Sequence, residues 1–492
     1  MQLVDFRHTF KRRSKHLMNK QISAGLIMIN VLLVMLTLHS CQKDISCDSC
    51  SVTNQPPIAR AGVDLIITFP TNTVTINASG SYDPDGSIAL YSWKQIQGPN
   101  QSAISNSSSS TSAVTNLIQG VYQLELQVTD NGGLSAKDTM QIFVNAVNIV
   151  CGSNRSVVNA QLIPIGTLSE ARQDMYIATA GNKILFAGGL RSGNVISTRV
   201  DIFDFVANTW STAELSIVRH AMTVASVGNK ILFAGGGVDD YVNPPLKFTR
   251  VDIYDAIANT WSTAELSTGR SYLTSATLGD KVFFAGGYYW DNRDYYLNQV
   301  DIYNNTTNTW STAKLSQARG NLTATTAGNK IYFAGGNSPN ASSLIDMYDQ
   351  VNNSWTTSNL TEGKGYFGSI AFASKIYWAG GYTGAHPGQT LSSQVEIRDI
   401  NSQLSTVTCL SQAKAAFGTV SKGNEIVFFM GTPSKQPTDF DIYNTATDKW
   451  SIGRLNQGLE YPSIISANNK IYVAGGALSD GRLSNKVSVL EW

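Results

Sequence analysis

One eight-residue phrase recurs seven times in the last two thirds of this 492-residue chain. It reads NKILFAGG at 182–189 and 229–236, DKVFFAGG at 280–287, NKIYFAGG at 329–336, SKIYWAGG at 374–381, NEIVFFMG at 424–431 and NKIYVAGG at 469–476. Successive copies start 45 to 51 residues apart. A period of that size belongs to an array of supersecondary units, each too small to bury its own apolar face alone.

One full unit, 271–316, shows what repeats. YLTSATL (272–278) reads as strand a, KVFFAGG (281–287) as strand b, NQVDIYN (298–304) as strand c and TWSTAKLS (309–316) as strand d. In strand c Val300 and Ile302 stand apolar between polar neighbours, the period-two signature of a strand. Four short antiparallel strands per period make one propeller blade. The double Gly, the Tyr or Phe of strand c and the Trp of strand d (Trp210, Trp261, Trp310, Trp355, Trp450) together resemble the kelch repeat. That resemblance implies a seven-bladed kelch-type β-propeller over 156–492, with the Trp packed between blades. Blade five departs from the pattern at Leu404, read in the place of the Trp, and blade six at Met430, in the place of the first Gly. Strands a, b and c each occur seven times. Strand d follows only six of them, because the sequence ends on VSVLEW. The segment 156–172, which shares the LSxxR ending of strand d, is therefore expected to supply the missing strand and close the ring, leaving no open edge.

A different module precedes the array. TVTINAS and VYQLELQVTD alternate with period two, and Asp83–Gly86, DPDG, is a tight-turn sequence in which Pro presets φ and Gly accepts a positive one. With YSW at 91–93 and GVYQLELQVTDNGG at 120–133, residues 57–146 resemble the PKD family of Ig-like β-sandwiches. The fold class expected is thus all-β, an Ig-like sandwich followed, after a linker at 147–155, by the propeller. PKD modules serve as spacers or adhesive units. Asp83, Asp85 and Asp130 offer the oxygen ligands Ca²⁺ prefers, or else are plain turn residues.

The N-terminal 40 residues read as an export signal. Lys11, Arg12, Arg13, Lys15 and Lys20 precede the apolar run Ile22–Leu38, too short for an ordinary membrane span. The run ends in LHSC, which resembles the lipobox of bacterial lipoproteins and makes Cys41 the lipidated residue. By the same resemblance Gln42, not Asp, favours the outer membrane, with 41–56 as a tether. Cys47 and Cys50 form a CDSC pair in that tether, and Cys151 and Cys409 are not expected to pair. Without residues 1–40, 30 basic residues face 34 acidic ones. That balance gives no general pull on nucleic acid.

Beyond residue 40 only His220 and His386 remain among the histidines. Galactose oxidase, which shares the kelch fold, holds copper with two His, two Tyr and a Tyr-linked Cys, and no such set is present. No G-x-S-x-G occurs, and Asp239–Asp240 sits in a variable loop. No metal, cofactor or catalytic set is expected. The most regular polar feature is a cation entering each strand a: Arg172, Arg219, Arg270, Arg319, Lys364 and Lys414, with Glu460 in the seventh place. Around a central mouth these would focus field on an anion and grip carboxylates, unless they serve the repeat itself. The b–c loops add aromatics: Tyr288, Tyr289, Trp290, Tyr295 and Tyr296 in one, Tyr382 and His386 in another. The expected ligand-binding set is those six cations with Tyr289 and Trp290. The expected function is a non-enzymatic cell-envelope protein, membrane-bound through its lipid, that recognises a protein or an acidic glycan at the propeller mouth. Two alternatives stand beside it: a sugar mutarotase or epimerase for an acidic sugar, similar to the bacterial sialic acid mutarotase with Glu460 or His220 as acid/base, and a purely structural envelope protein.

Overall fold

The computed structural model describes residues 53–69, 71–145, 155–238, 246–290, 294–385, 388–432 and 438–492, the side chains of Trp290 and Asp294 excepted. Cys41, Cys47, Cys50, Cys151, Asp239, Asp240 and His386 lie outside the described residues, as does the whole signal-like segment. Among the described residues every regular element is a strand.

Residues 58–145 form two facing sheets. One orders Leu65–Thr68, Ser135–Asn145, Gly120–Asp130 and Ile88–Gln97; the other orders Val74–Asn77, Thr111–Thr115 and Ala103–Ile104. Strict alternation along Gly120–Asp130 turns Tyr122, Leu124, Leu126 and Val128 inward, where they meet Trp93, Met140 and Ile142. Each of these side chains contributes about 1.5–3 kcal/mol by leaving water. The DPDG turn and the strand end beside it are held by their carboxylates. Asp130 accepts the backbone N–H of Gly132 at 2.8 Å and of Leu134 at 2.9 Å, and Asn54 Nδ2 at 3.1 Å. Asp85 accepts the N–H of Gln55 at 3.1 Å. The carboxylates considered for Ca²⁺ thus include two already engaged with backbone amides.

Apart from five two-stranded sheets, the remaining strands divide into seven four-stranded units, compatible with seven blades. Five are separate sheets, and the last two are joined in one eight-stranded sheet by Ser156–Thr167. This strand has two partners. Ser156–Ala160 runs parallel to Ser451–Leu455, and Gln161–Thr167 runs antiparallel to Lys486–Glu491. The innermost strands neighbour one another all the way round, and Ser463–Ala467 of the last unit lies against Tyr176–Ala180 of the first.

Period-two alternation builds the packing. In strand b of the first unit, Leu185 and Ala187 face the second unit, with Phe233, Tyr254 and Trp261. Ile184 and Phe186 face the last unit, with Tyr472, Val487 and Val489. Seven such clusters fill the seven seams. The strand-d tryptophans lie in these seams, each stacked on the strand-b Phe of its own blade, as Trp310 is on Phe284 at 5.9 Å, and against the strand-c ring, as Trp210 is on Phe203 at 4.7 Å. In the fifth unit the pairing register corrects the sequence alignment. Ser405 lies opposite Arg398, where Trp450 lies opposite Tyr443 in the sixth, so Ser405 takes the Trp position and Leu404 is exposed. Arg398 compensates: its guanidinium lies 5.1 Å from the Trp378 ring and donates to Ser405 Oγ at 3.0 Å and Glu396 at 2.8 Å.

The glycine pair is explained at the third unit. Gly286 and Gly287 have φ of 66° and 99°, and a Cβ on either would meet a backbone oxygen, of Arg319 at 2.5 Å or Ser271 at 2.7 Å. Met430 accepts φ 45° in the corresponding place. Cys409 is disulfide-bonded, and the other four cysteines all lie outside the described residues. The thiol is therefore not free, contrary to the unpaired reading. Beside it Arg155 donates to Asp441 at 2.6 Å and to the Cys409 carbonyl, with its guanidinium 4.5 Å from the Trp450 ring. The start of the propeller is thus fastened to units five and six.

Candidate functional site

Two rings of residues, two positions apart in sequence, encircle the propeller axis. They have opposite character.

The first ring is the set of cations, and it does not open into the mouth. Arg172, Arg219, Arg270, Arg319 and Lys364 are 0% exposed and Lys414 is 7% exposed. Each arginine pairs with the strand-c aspartate of the blade it enters: Arg172 with Asp201, Arg219 with Asp252 at 2.8 Å, Arg270 with Asp301 at 2.7 Å, and Arg319 with Asp346. Lys414 meets Asp441 at 2.9 Å. The same heads donate to strand-b carbonyls, as Arg270 does to Phe284 O at 3.0 Å and Lys414 to Phe428 O at 3.0 Å. On the other side, the carbonyl of Arg270 accepts the second Gly N–H of the preceding blade, from Gly236 at 2.9 Å. The same bond joins Gly287 to Arg319, Gly336 to Lys364, Gly381 to Lys414 and Gly476 to Arg172. The aspartates also accept the N–H of the Ser that ends the preceding strand d, as at Ser267–Asp301, 3.0 Å.

Each cation is therefore a rivet between adjacent blades. Burial pulls the arginines below their ordinary pKa against the opposing pull of the paired aspartates, Arg319 down to about 10, so they stay charged at neutral pH. The expectation of a solvent-facing basic ring at Arg172, Arg219, Arg270, Arg319, Lys364 and Lys414 is corrected on this ground. A guanidinium paired with a carboxylate, bonded to strand-b carbonyls and closed to water presents no accessible donor to a ligand in the mouth.

The seventh place is occupied differently from the sequence alignment. Four residues after Leu455 stands Leu459, and Glu460 is one residue further. Opposite, the strand-c position of Asp201 is taken by Ser488, both residues facing the same strand-b position in their blades. Cation and carboxylate are lost together, so no unpaired charge is buried. In the fifth blade Lys364 meets Gln394 at 3.2 Å and Glu362 at 3.5 Å, while Glu396 is held by Arg398 and by the Thr361 N–H at 2.7 Å.

The second ring lies two residues on: Asp174, Ala221, Tyr272, Asn321, Tyr366, Ala416 and Tyr461. All seven have φ between 50° and 55°, a region non-glycine residues seldom enter. Neighbouring members bond through their backbones. The N–H of Tyr272 donates to Ala221 O at 2.8 Å, Asn321 to Tyr272 at 3.0 Å, Tyr366 to Asn321 at 3.1 Å, Ala416 to Tyr366 at 2.9 Å and Asp174 to Tyr461 at 3.2 Å. This collar offsets the cost of the left-handed backbone, of order 1–3 kcal/mol per residue. It also turns the side chains into the mouth.

They line a cavity of about 500 Å³, whose polar walls include Asp174, Tyr176, His220, Tyr272, Tyr366 and Tyr461. Among the described residues no Lys or Arg lines it. Burial raises the Asp174 carboxyl to about 6 and pushes the Tyr176 phenol far above its ordinary value. Tyr461 is raised by burial and then by Asp174. Tyr288 stacks on Tyr272 at 5.1 Å with planes 2° apart, and Tyr382 meets Tyr366 edge-on at 6.2 Å. The b–c loops thus extend the aromatic lining. Of the expected loop residues, Tyr289 packs on Tyr295 at 4.9 Å within its own hairpin, and the Trp290 side chain lies outside the described residues. The site residues that sequence reasoning missed are Asp174, Tyr272, Asn321, Tyr366 and Tyr461. The signal was present, since the position two after each cation reads D-A-Y-N-Y-A-Y, but it lacks the uniformity that draws attention to the cations.

Two family models match the chain: one described as a PKD domain, over residues 61–144, and one described as "KLHDC2/KLHL20/DRC7 Kelch-repeats domain", over residues 177–369. Over the first region the chain is similar to the human dyslexia-associated protein KIAA0319, 36% identical over 95 residues, and to human low-density lipoprotein receptor-related protein 11, 32% identical over 89 residues. These matches cover 19% and 18% of this chain, and only 9% and 18% of the relatives' own length. Among solved structures, one titled "Structure of YjhT" aligns at 15% identity and a TM-score of 0.44, over 67% of this chain and 97% of that one. The chain thus carries a PKD domain followed by Kelch repeats, in an all-β architecture.

Proposed function

We propose that this is a binding protein of the bacterial cell envelope, held by a lipid on Cys41, spaced by its PKD domain, and recognising a glycan at the propeller mouth. The observation that carries the reading is the tyrosine-lined collar, with Tyr272, Tyr366 and Tyr461 around a cavity of about 500 Å³. Flat aromatic faces bury the apolar face of a sugar ring while their hydroxyls bond its edge. A cavity of that volume lies within the range of about 300–1,000 Å³ usual for small-ligand sites. The acidic-glycan form of the proposal loses its support with the burial of the cations, and Asp174 in the wall disfavours an anion above pH 6. A neutral glycan is the form the mouth favours. The test is a glycan and peptide array probed with the full-length chain in detergent, wild type against Tyr272→Ala. Selective glycan binding that disappears in the variant supports the proposal; peptide binding, or binding indifferent to the variant, overturns it. Lipid incorporation abolished by Cys41→Ala tests the anchor separately.

A second reading has one specific observation behind it. Asp174, raised to about 6, and His220 line the same cavity, and a proton donor and acceptor facing one ring are what anomeric exchange needs. Acceleration of anomeric exchange in NMR, lost in Asp174→Asn, would move the protein to the mutarotase class.

A further inference from the structure

Beside the mouth, and sharing Asn321 and Tyr366 with it, lies a second cavity of about 300 Å³ lined by Tyr288, Tyr296, Asn337, Pro339 and Gln389 as well. Three blades build it. The b–c loop of the third gives Tyr288 and Tyr296, that of the fourth Asn337 and Pro339, that of the fifth Gln389, and the collar gives the rest. Among the described residues its lining combines aromatic rings and primary amides, with no charged side chain. Three amide side chains of this lining each carry one atom that is withdrawn from solvent and has no hydrogen-bond partner among the described residues: Asn321 Oδ1, Asn337 Oδ1 and Gln389 Nε2. Asn337 is itself only 6% exposed, so its unmet acceptor is not a surface accident. Buried polar atoms are almost always paired, and unpaired ones concentrated in one cavity call for an explanation.

We propose that this side cavity is a specificity subsite for one neutral sugar residue of the ligand, a hexose without carboxylate or phosphate. The proposal rests on the reading of the mouth as a glycan site and deepens it. An amide can both donate and accept, as a sugar hydroxyl does, and three amides in one lining match a ring carrying several hydroxyls. The Tyr288 ring, stacked on Tyr272 of the collar, and Tyr296, 5.7 Å from Tyr288, form the apolar side. The small volume admits a single ring, with the rest of the chain running into the larger mouth. With no charged side chain among the described lining residues, a carboxylate would be desolvated there without a cation against it, which favours a neutral sugar over its uronic acid. Lys247, with its ammonium 5.4 Å from the Tyr288 ring, is the cation outside the lining that a carboxylate would have to reach.

The test uses the full-length protein in detergent and a panel of methyl hexopyranosides, with methyl glucuronate as the charged probe, followed by saturation-transfer NMR and titration. A neutral hexoside is expected to bind, to bind at least tenfold more weakly in Gln389→Ala and Asn337→Ala, and to outcompete the glucuronate. Gln389 sits on an exposed loop, so its variant folds even where Asn337→Ala does not. Equal affinity in wild type and Gln389→Ala, or tighter binding of the glucuronate, overturns the inference. If no hexoside binds while an arrayed oligosaccharide still does and is lost in Tyr272→Ala, the subsite fails and the mouth reading stands. If nothing binds, both fail.

Discussion

Arg270 and Tyr272 are two residues apart and repeat with the same period, yet one is sealed in the seam between blades and the other lines the mouth. The difference is set by the backbone. The residue between them bridges to the b–c loop, as Ser271 does to Tyr288, and the next step into positive φ reverses the side-chain direction. Uniformity marks the structural ring and variety marks the exposed one. The rivet is a long cation because its side chain must reach the strand-c aspartate and a strand-b carbonyl of the blade it enters, while its backbone carbonyl takes the glycine N–H of the blade before. The collar position must only accept the backbone shape, so it is free to carry Asp, Ala, Asn or Tyr. In a repeat protein the regular residue builds the array, and the irregular one beside it is where a ligand can be told apart.

The sharpest way to break this comparison is to remove one rivet. Arg270→Leu leaves Asp301 buried without its cation and is expected to cost about 3–5 kcal/mol in urea unfolding. Adding Asp301→Ser copies the Leu459 and Ser488 of the seventh blade and should return most of that loss. A single variant that unfolds at the wild-type midpoint would mean that the ion pair does not hold the seam. Lys364→Met should cost less, about 2 kcal/mol, the range for a hydrogen bond to a charged group. There Glu396 keeps Arg398, Ser405 Oγ at 2.7 Å and the Thr361 amide. Equal losses at Arg270 and Lys364 would show that the carboxylate left behind is not the source of the penalty.

These cases also show what the sequence could reveal. The blade, its four strands and the closing count were written in the phrase itself, because period-two alternation and paired glycines report directly on strands and crowded turns. The cations were equally visible, but a sequence does not say whether a charge faces water or another charge. The answer lay about 30 residues downstream, in the Asp of VDIYD, which varies in step with the cation: Asp with Arg, Ser488 with Leu459. The Ser405 position, misplaced by one residue in sequence, needed the register opposite Arg398 to be seen. The side cavity draws on three loops of different length, and nothing in any one of them announces the other two.

On the collar, the effects should turn from stability toward pH and binding. Asp174 has its folded pKa raised to about 6, above the unfolded value of about 3.9. Between those values the folded state binds more protons than the unfolded one, so this group's contribution is fully present below pH 4 and is lost as pH rises through 6. Asp174→Asn cannot ionise and should escape that loss. It should match the wild type below pH 4 and exceed it by about 1–2 kcal/mol at pH 7, a figure reduced for partial exposure. Parallel stability curves for the two proteins from pH 4 to 7 would place the carboxylate in water instead.

The smallest effect on stability should come with the largest effect on recognition. Tyr461 is 39% exposed and has φ 50°, while alanine already holds φ 52° and 50° at positions 221 and 416 of the same collar. Tyr461→Ala therefore keeps a backbone that alanine demonstrably accepts, keeps the carbonyl that receives the Asp174 N–H, and removes a ring that is only partly buried. Its unfolding free energy should fall by about 1 kcal/mol or less, the centre of the range for single substitutions. Glycan affinity should nevertheless fall at least tenfold, because one of the three collar tyrosines is gone. A rivet variant with its compensating partner, Arg270→Leu with Asp301→Ser, should show the reverse, with unfolding near wild type and unaltered binding. If that pair loses the ligand while Tyr461→Ala keeps it, the assignment of the two rings is inverted.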